Sequence, residues 1–254
     1  MKYFLCIASY EDDRQKHFET YHSPRNKEYC KIHGFKYIEI KDLKEIPEHC
    51  RRRKIVWYRF FLIRYWIEKG FLKEGDIISQ IDADIIIINA RLPLEPSEGK
   101  SFAYAIDSCN THCMGVFSMR VNKWTRRMLN NLLDESRWAK QKDTPFWKMF
   151  HEQAAWYSLA GIEDTFADPT QPGWNTIENL GWGSTKRNDP VYTVNELKNN
   201  VEILPVEWNV TDFSGSGKYF RFPTKTNKRE DVIFRHFAGS KSWGKHWTII
   251  PLQK

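Results

Sequence analysis

The amino-acid sequence predicts an α/β protein in which helices flank a buried central sheet, and three observations predict it. The N-terminal part up to Ile40 reads strand, helix, strand, the order that builds α/β folds. The stretch Gly75-Asp76-Ile77-Ile78-Ser79-Gln80-Ile81 opens an apolar run after a Gly-Asp turn; Asp82 and Asp84 interrupt it, and Ile85-Ile86-Ile87-Ile88 resume it. Such near-continuous hydrophobicity belongs to a strand covered on both faces, which must end where the acids sit. Finally, the 254 residues hold no internal repeat, low-complexity tract or interdomain linker, so they are read as one domain around one sizeable core.

Charged residues (28%) and apolar residues (41%) are ordinary for a soluble protein, whereas the 15% of aromatics, with 11 Trp, exceeds what a core requires. Flat aromatic faces are what proteins stack on sugar rings and bases. A net charge of +7 suits an anionic ligand: a nucleoside diphosphate, nucleic acid or an acidic membrane surface. The five cysteines, Cys6, Cys30, Cys50, Cys109 and Cys113, are odd in number and lack paired spacing, so the expectation is a reducing compartment without a disulfide framework. The N-terminus has too short an apolar core for a signal peptide, and no uninterrupted apolar run reaches the roughly 18 residues of a membrane span. The expected location is therefore cytoplasmic, and the Asn209-Val210-Thr211 sequon carries no meaning there.

In chain order, the first strand covers 3–8 and ends at Ser9-Tyr10, and in a parallel sheet the loop after the first strand is where a ligand is met. Tyr10 then either stacks on a base or packs beside the loop. Ser23-Pro24 reads as an N-cap with Pro at N1, and the helix it opens closes at Gly34, a C′ glycine before a strand over 35–40. A long helix is expected over 51–69, stopped by Gly70, with apolar and aromatic residues on most of its circumference and hence largely buried. Lys54 and Arg59 on it either reach water or face something negative. A basic, aromatic helix is also compatible with peripheral contact with a membrane, although its place just before the buried strand argues for the interior.

Loop follows over 89–100, then short strands over 102–106 and 116–119 flanking a polar loop, 107–115, set over the sheet edge near the site. Cys109, His112 and Cys113 in that loop are metal-type side chains without a second cluster to complete them. Asn122 caps a helix reaching about residue 140, and a further helix over 145–161 carries Glu152-Gln153. The Pro-, Gly- and Trp-rich segment 168–182 reads as a structured surface loop. Gly215-Ser216-Gly217-Lys218, within a loop over 209–226, lacks the spacing and the preceding strand of a phosphate loop. A strand over 232–234 leads into Arg235-His236-Phe237-Ala238-Gly239-Ser240-Lys241-Ser242-Trp243.

Carboxylates beside so much apolar surface need a partner, because desolvating an unpaired carboxylate costs several kcal/mol or more. The plain alternative is a strand-end turn in which the Asp side chains cap backbone amides. A divalent cation with a bound diphosphate satisfies both acids, and oxygen ligands suit Mn²⁺ or Mg²⁺. Asp82, Asp84 and the late His236 would hold that cation; Gly239 would let backbone amides approach phosphate, and Lys241 would neutralise charge growing on a leaving diphosphate. With Glu152-Gln153 nearby, these are the parts that glycosyl transfer needs.

These residues resemble the GT-A nucleotide-sugar glycosyltransferases. Asp82-Ala83-Asp84 after a buried strand looks like their Asp-x-Asp motif, and His236-Phe237-Ala238-Gly239-Ser240-Lys241-Ser242-Trp243 is similar to the His-x-x-Gly-x-Lys-Pro-Trp segment of family 8. Asn26-Lys27-Glu28-Tyr29-Cys30-Lys31-Ile32-His33-Gly34-Phe35 resembles the N-terminal helix signature of family 34, and Glu152-Gln153 matches the acidic-Gln pair of both. Ser242 stands where family 8 has Pro, and Glu152 where Asp is usual.

The resemblance implies a GT-A fold, with a Rossmann-like mixed central sheet flanked by helices, in a single domain over 1–254. Residues 1–120 would form the nucleotide-sugar-binding half, and 121–254 the acceptor half with the C-terminal metal and phosphate segment. It implies Mn²⁺ or Mg²⁺ on Asp82, Asp84 and His236; Lys54, Arg59, Gly239 and Lys241, with Asp82, at the phosphates and sugar of a UDP-sugar; Tyr10 at the base; and Glu152 and Gln153 at the reaction centre. The acceptor would be a glycan hydroxyl and the configuration retained, with inversion using Glu152 as general base the alternative. Neither nucleic acid nor an obligate protein partner is expected. Two rivals remain at this point. One is a non-catalytic glycan- or nucleic-acid-binding module. The other is a metal-dependent phosphohydrolase, which wants Thr or Val where Ile86 stands and a later Gly-Asp-x-x-x-Asp that is absent.

Overall fold

In the computed structural model, which describes residues 1–107, 112–138, 145–162, 191–211, 232–236 and 252, the expected α/β class is realised as a mixed central sheet flanked by helices. Its strands are β1 (Lys2–Ile7), β2 (Lys36–Ile40), β3 (Ile77–Ile81), β5 (Phe102–Ile106), β6 (His112–Arg120) and β7 (Val201–Leu204), ordered β2-β1-β3-β6-β5-β7. β1 pairs in parallel with β2 and β3, β5 in parallel with β7, and β6 runs antiparallel to both of its neighbours. A smaller sheet holds β4 (Ile85–Ile87), β9 (Phe234–His236) and β8 (Val210–Thr211) in that order.

Both faces of the large sheet are covered, which explains the unbroken apolar text of its strands. Along β1, Tyr3 and Leu5 join the core that holds Phe60, Ile63, Phe117 and Trp156, while Phe4 and Cys6 join the opposite one with Phe18, Tyr29 and Phe35. This is the two-residue alternation of strand side chains with an apolar layer on each side. The helices are α1 (Asp13–His17), α2 (Ser23–His33), α3 (Tyr58–Glu68), α4 (Lys123–Leu133), α5 (Glu135–Trp138), α6 (Pro145–Ala160) and α7 (Val194–Asn200). α3 supplies Phe60, Phe61, Leu62 and Ile63 to the first core, each contributing roughly 1.5–3 kcal/mol by burial. Phe60 stacks on Phe117 of β6 with ring centroids 5.1 Å apart, fixing the helix over the strand that pairs with β3.

Several boundaries differ from the sequence reading. The helix expected over 51–69 begins only at Tyr58, after a 3₁₀ turn at Ile55–Trp57, and Arg53 sits in the left-handed region (φ 66). Arg51-Arg52-Arg53-Lys54 would have put four positive charges at the positive end of the helix dipole. Ser23 is not an N-cap: a π-helical turn, Phe18–His22, runs directly into α2, and the Ser23 hydroxyl instead donates to Glu39 at 2.5 Å. Gly34 does end that helix, at φ 71.

β6 starts at His112, so half of the expected polar loop is strand; its His112 and Cys113 are buried rather than turned to solvent. Asn122 caps α4 as read, but the helix stops at Leu133, because Asp134 leaves the helical region and its carboxylate caps the next turn through Ser136. The last strand lies at Phe234–His236, two residues beyond the expected start. The resumed isoleucine run is not a continuation of β3: Asp82-Ala83-Asp84 hands the chain from one sheet to the other. The segments 168–182 and 215–218 lie outside the described residues. Among the described residues, no helix is long and apolar enough to cross a membrane.

Candidate active site

The site is built where β3 ends. The Asp82 amide donates to the Gly115 carbonyl (2.8 Å), and the Ile85 amide closes a turn onto the Asp82 carbonyl (3.1 Å), so both acids project from the junction between the sheets. β4 then pairs antiparallel with β9, with Ile85 opposite His236. That register brings a histidine from the far end of the chain beside Asp84, with Nε2 3.3 Å from Asp84 Oδ1. Potential ligand atoms of Asp82, Asp84 and His236 all lie within 4.8 Å of one another.

On its other side the His236 ring meets Asn209, with Nδ1 3.0 Å from Oδ1. An amide oxygen only accepts, so Nδ1 carries the hydrogen and Nε2 is the atom offered to the acids, the arrangement that orients a histidine ligand. Burial would depress the imidazole, but the Asp84 carboxylate outweighs it and holds the His236 pKa well above the ordinary value. Burial likewise pushes Asp84 up, yet His236 prevails and its carboxyl lies below the usual range. The pair is a charged one until something replaces the proton on Nε2.

Gly115 makes this convergence feasible. β6 carries three residues, 114–116, that have no partner on β5, since Tyr104 pairs with Phe117 and Ala105 with Cys113. Such irregularities re-aim a strand next to a site. A Cβ on Gly115 would lie 2.8 Å from Asp82 Oδ2, closer than a side chain allows, and in tight contact at 3.3 Å with both Cys113 Sγ and His236 Cε1.

Arg59, buried on α3, faces the acids rather than water. Its Nη1 pairs with Asp82 Oδ1 and donates to Gln80 Oε1 (3.3 Å), while Nη2 pairs with Glu152 Oε1 at 2.7 Å. Burial would weaken the guanidinium's charge, but Asp82 and Glu152 together raise its pKa. One guanidinium shared by two carboxylates does not fully offset the burial of Glu152, whose pKa is pushed up to about 7. Gln153 is anchored at the irregular part of β6, its Oε1 accepting from the Met114 amide and its Nε2 donating to the Tyr157 hydroxyl, each at 3.4 Å.

In front of the acids lies a cleft of about 190 Å³ bounded by Tyr10, Ile55, Val56, Arg59 and the acid pair itself. Tyr10 is at its wall, with the Arg14 guanidinium 4.8 Å from its ring centre. Lys54, exposed, donates to His151 Nε2 at 3.0 Å. His151 sits at a kink of α6 (φ 45) immediately before Glu152.

Gly239 and Lys241 lie outside the described residues, as does Cys109. His112 belongs to the core, bonded to the Tyr104 hydroxyl, its pKa pushed down to about 3 by burial. The sequence reading thus found five side chains that meet here, Asp82, Asp84, His236, Arg59 and Glu152. It missed Gly115, Asn209 and Gln80. Asn209 was legible only as a sequon, and nothing near it in sequence signals a partner at position 236.

No protein-family model matches the sequence, and no curated protein matches it. Among solved structures, the chain is similar to a glycosyltransferase involved in the glycosylation of the major capsid of PBCV-1, with 14% identity over 94% of each chain and a TM-score of 0.48. It is also similar to an active-site mutant of LgtC, with 13% identity over 96% of this chain and 92% of that one (TM-score 0.33). A third similarity, to the glycosyltransferase GlyE of Streptococcus pneumoniae TIGR4, has 16% identity over 60% of this chain and 44% of that one (TM-score 0.35).

Proposed function

We propose that the protein is a metal-dependent glycosyltransferase of the GT-A type that moves a sugar from a UDP-sugar to a hydroxyl of a glycan, with retention of configuration. The observation that carries this reading is the meeting of Asp82, Asp84 and an Asn209-oriented His236 at one point beside a cleft. The donor set fits a divalent cation: Asp84 Oδ1 and His236 Nε2 face each other, and Asp82 commits Oδ1 to Arg59 while Oδ2 lies toward Gly115 and His236. Mn²⁺ or Mg²⁺ bound there would neutralise the negative charge that develops on a departing diphosphate.

The chain's own residues supply the rest. Tyr10 and the apolar Ile55 and Val56 offer a wall for the uracil ring, and Gln80 with Arg59 keeps Asp82 from rotating. We assign Gly239 and Lys241, which follow His236 in sequence, to the phosphates together with Lys54. Gln153 and Glu152 face the sugar. Because Glu152 is held by Arg59 at 2.7 Å, it serves better as a fixed hydrogen-bond partner than as a free general base, which favours retention over inversion.

The test is UDP release from a panel of UDP-sugars with Mn²⁺, with and without EDTA. The reading requires EDTA-sensitive release for at least one donor, and loss of metal-dependent UDP binding in Asp84→Asn with the fold intact. No turnover, together with glycan or oligonucleotide binding indifferent to EDTA, would replace it with a binding module.

A further inference from the structure

The helical segment before β2 carries a row of donors that the proposed reaction leaves unused. β4 begins one residue after Asp84, is three residues long, and stands at the edge of its sheet among the described strands. β9 pairs with one side of it, so the buried carbonyls on the other side need donors from elsewhere. Helical side chains supply them. His22 Nδ1 donates to the Ile85 carbonyl and Arg25 Nη1 to the Ile87 carbonyl, both at 2.9 Å. Past the strand, His33 Nε2 donates to the Ala90 carbonyl and the Tyr29 hydroxyl to the Leu92 carbonyl, each at 2.8 Å.

His22 and Arg25 are three residues apart, hence neighbours on one helical face, and the carbonyls they meet are two residues apart, hence on one edge of the strand. His22 closes the π-helical turn Phe18–His22, a form found mostly as single turns and often at functional sites. A carbonyl only accepts, so Nδ1 carries the hydrogen. Burial keeps the ring neutral, its pKa pushed down to about 4. Ile85, the residue after Asp84, is thereby held twice: its amide by the Asp82 carbonyl at 3.1 Å and its carbonyl by His22.

We propose that His22 is a positioning residue for Asp84: by holding the Ile85 carbonyl it fixes the start of β4, and with it the direction in which the Asp84 carboxylate meets His236 and a cation. The inference rests on the metal reading proposed above. Arg25, Tyr29 and His33 hold the same stretch of chain further from the acids and serve the fold alone.

Calorimetry of the full chain with Mn²⁺ and UDP tests this. His22→Leu removes the donor and should lower metal-dependent UDP affinity at least roughly tenfold. His22→Asn, whose amide nitrogen takes the place of Nδ1, should recover most of that loss. Should His22→Leu not fold, His22→Gln replaces it: its amide nitrogen takes the place of Nε2 instead, so it stays polar but should show the same loss. Arg25→Met strips the Ile87 carbonyl in the same way; it should lower stability in denaturant and leave the affinity nearly unchanged. Unaltered affinity in His22→Leu or its replacement, no recovery in His22→Asn, or an equal loss in Arg25→Met overturns the proposal while leaving the metal site standing. Failure of the wild type to bind UDP in a metal-dependent way overturns the metal reading and this inference with it.

Discussion

His236 lies directly across from Ile85 in the β4–β9 ladder, and its ring turns Nε2 to Asp84 at 3.3 Å while Nδ1 faces Asn209 at 3.0 Å. Two side chains far apart in the sequence are thus set by strand register, and a third fixes which nitrogen is offered.

Asn209 is therefore a positioning residue. Asn209→Ala should lower Mn²⁺ affinity by roughly 10–100-fold, as loss of a second-layer partner does. His236→Ala should lower it further. Calorimetry with Mn²⁺ and UDP measures both, and an Asn209→Asp variant, which keeps an acceptor at the same place, should recover most of the loss. Unaltered affinity in Asn209→Ala would make its contact with His236 purely structural.

Gly115 has no freedom to grow. Gly115→Ala would set a methyl 2.8 Å from Asp82 Oδ2, so the carboxylate must move. The expected result is loss of EDTA-sensitive UDP release with an overpacking penalty of about 1–3 kcal/mol in chemical denaturation. Full activity would mean that Asp82 Oδ2 is not needed where it lies.

Arg59 is the shared counter-charge of two carboxylates. Arg59→Met strands both, and breaking a buried pair this way costs about 3–5 kcal/mol. Adding Glu152→Gln removes one of the stranded charges, so the double variant should be more stable than Arg59→Met alone. Additive losses in the two-variant cycle would show that the ion pair contributes nothing net.

Glu152 gives stability a dependence on pH opposite to that of an ordinary paired carboxylate. Its folded pKa, lifted to about 7, exceeds the unfolded value of about 4.3, so between these the folded state binds the proton more tightly. Its contribution is fully present below the unfolded value and is lost as pH rises through about 7. Glu152→Gln should flatten this: between pH 5 and pH 8 the variant should gain on the wild type by on the order of 2–3 kcal/mol in denaturant titrations. A constant difference across that range would return Glu152 to the ordinary carboxylate range.

How much of this was legible in the sequence depends on distance along the chain. The break in the isoleucine run placed the acids, since buried strands end where charge begins. The strand over β1, the Gly34 terminus and the Asn122 cap followed from local chemistry. The helix start at 58 did not, because an apolar pattern over 55–57 fits a 3₁₀ turn as well as an α-helix, and only the run of cations before it argues for the later start. His236 was found through its motif, whereas Asn209 and Gly115 act through register and a three-residue irregularity in β6, which no window of sequence displays.

The guanidinium of Arg59 also governs how the acid mouth is held together. A resident counter-charge is already shared by Asp82 and Glu152, so the acid mouth does not wait for an incoming ion to find a partner. If the cation reading proposed above holds, chelation should silence UDP release without unravelling the fold, because the pocket is kept in shape by a charge that never leaves.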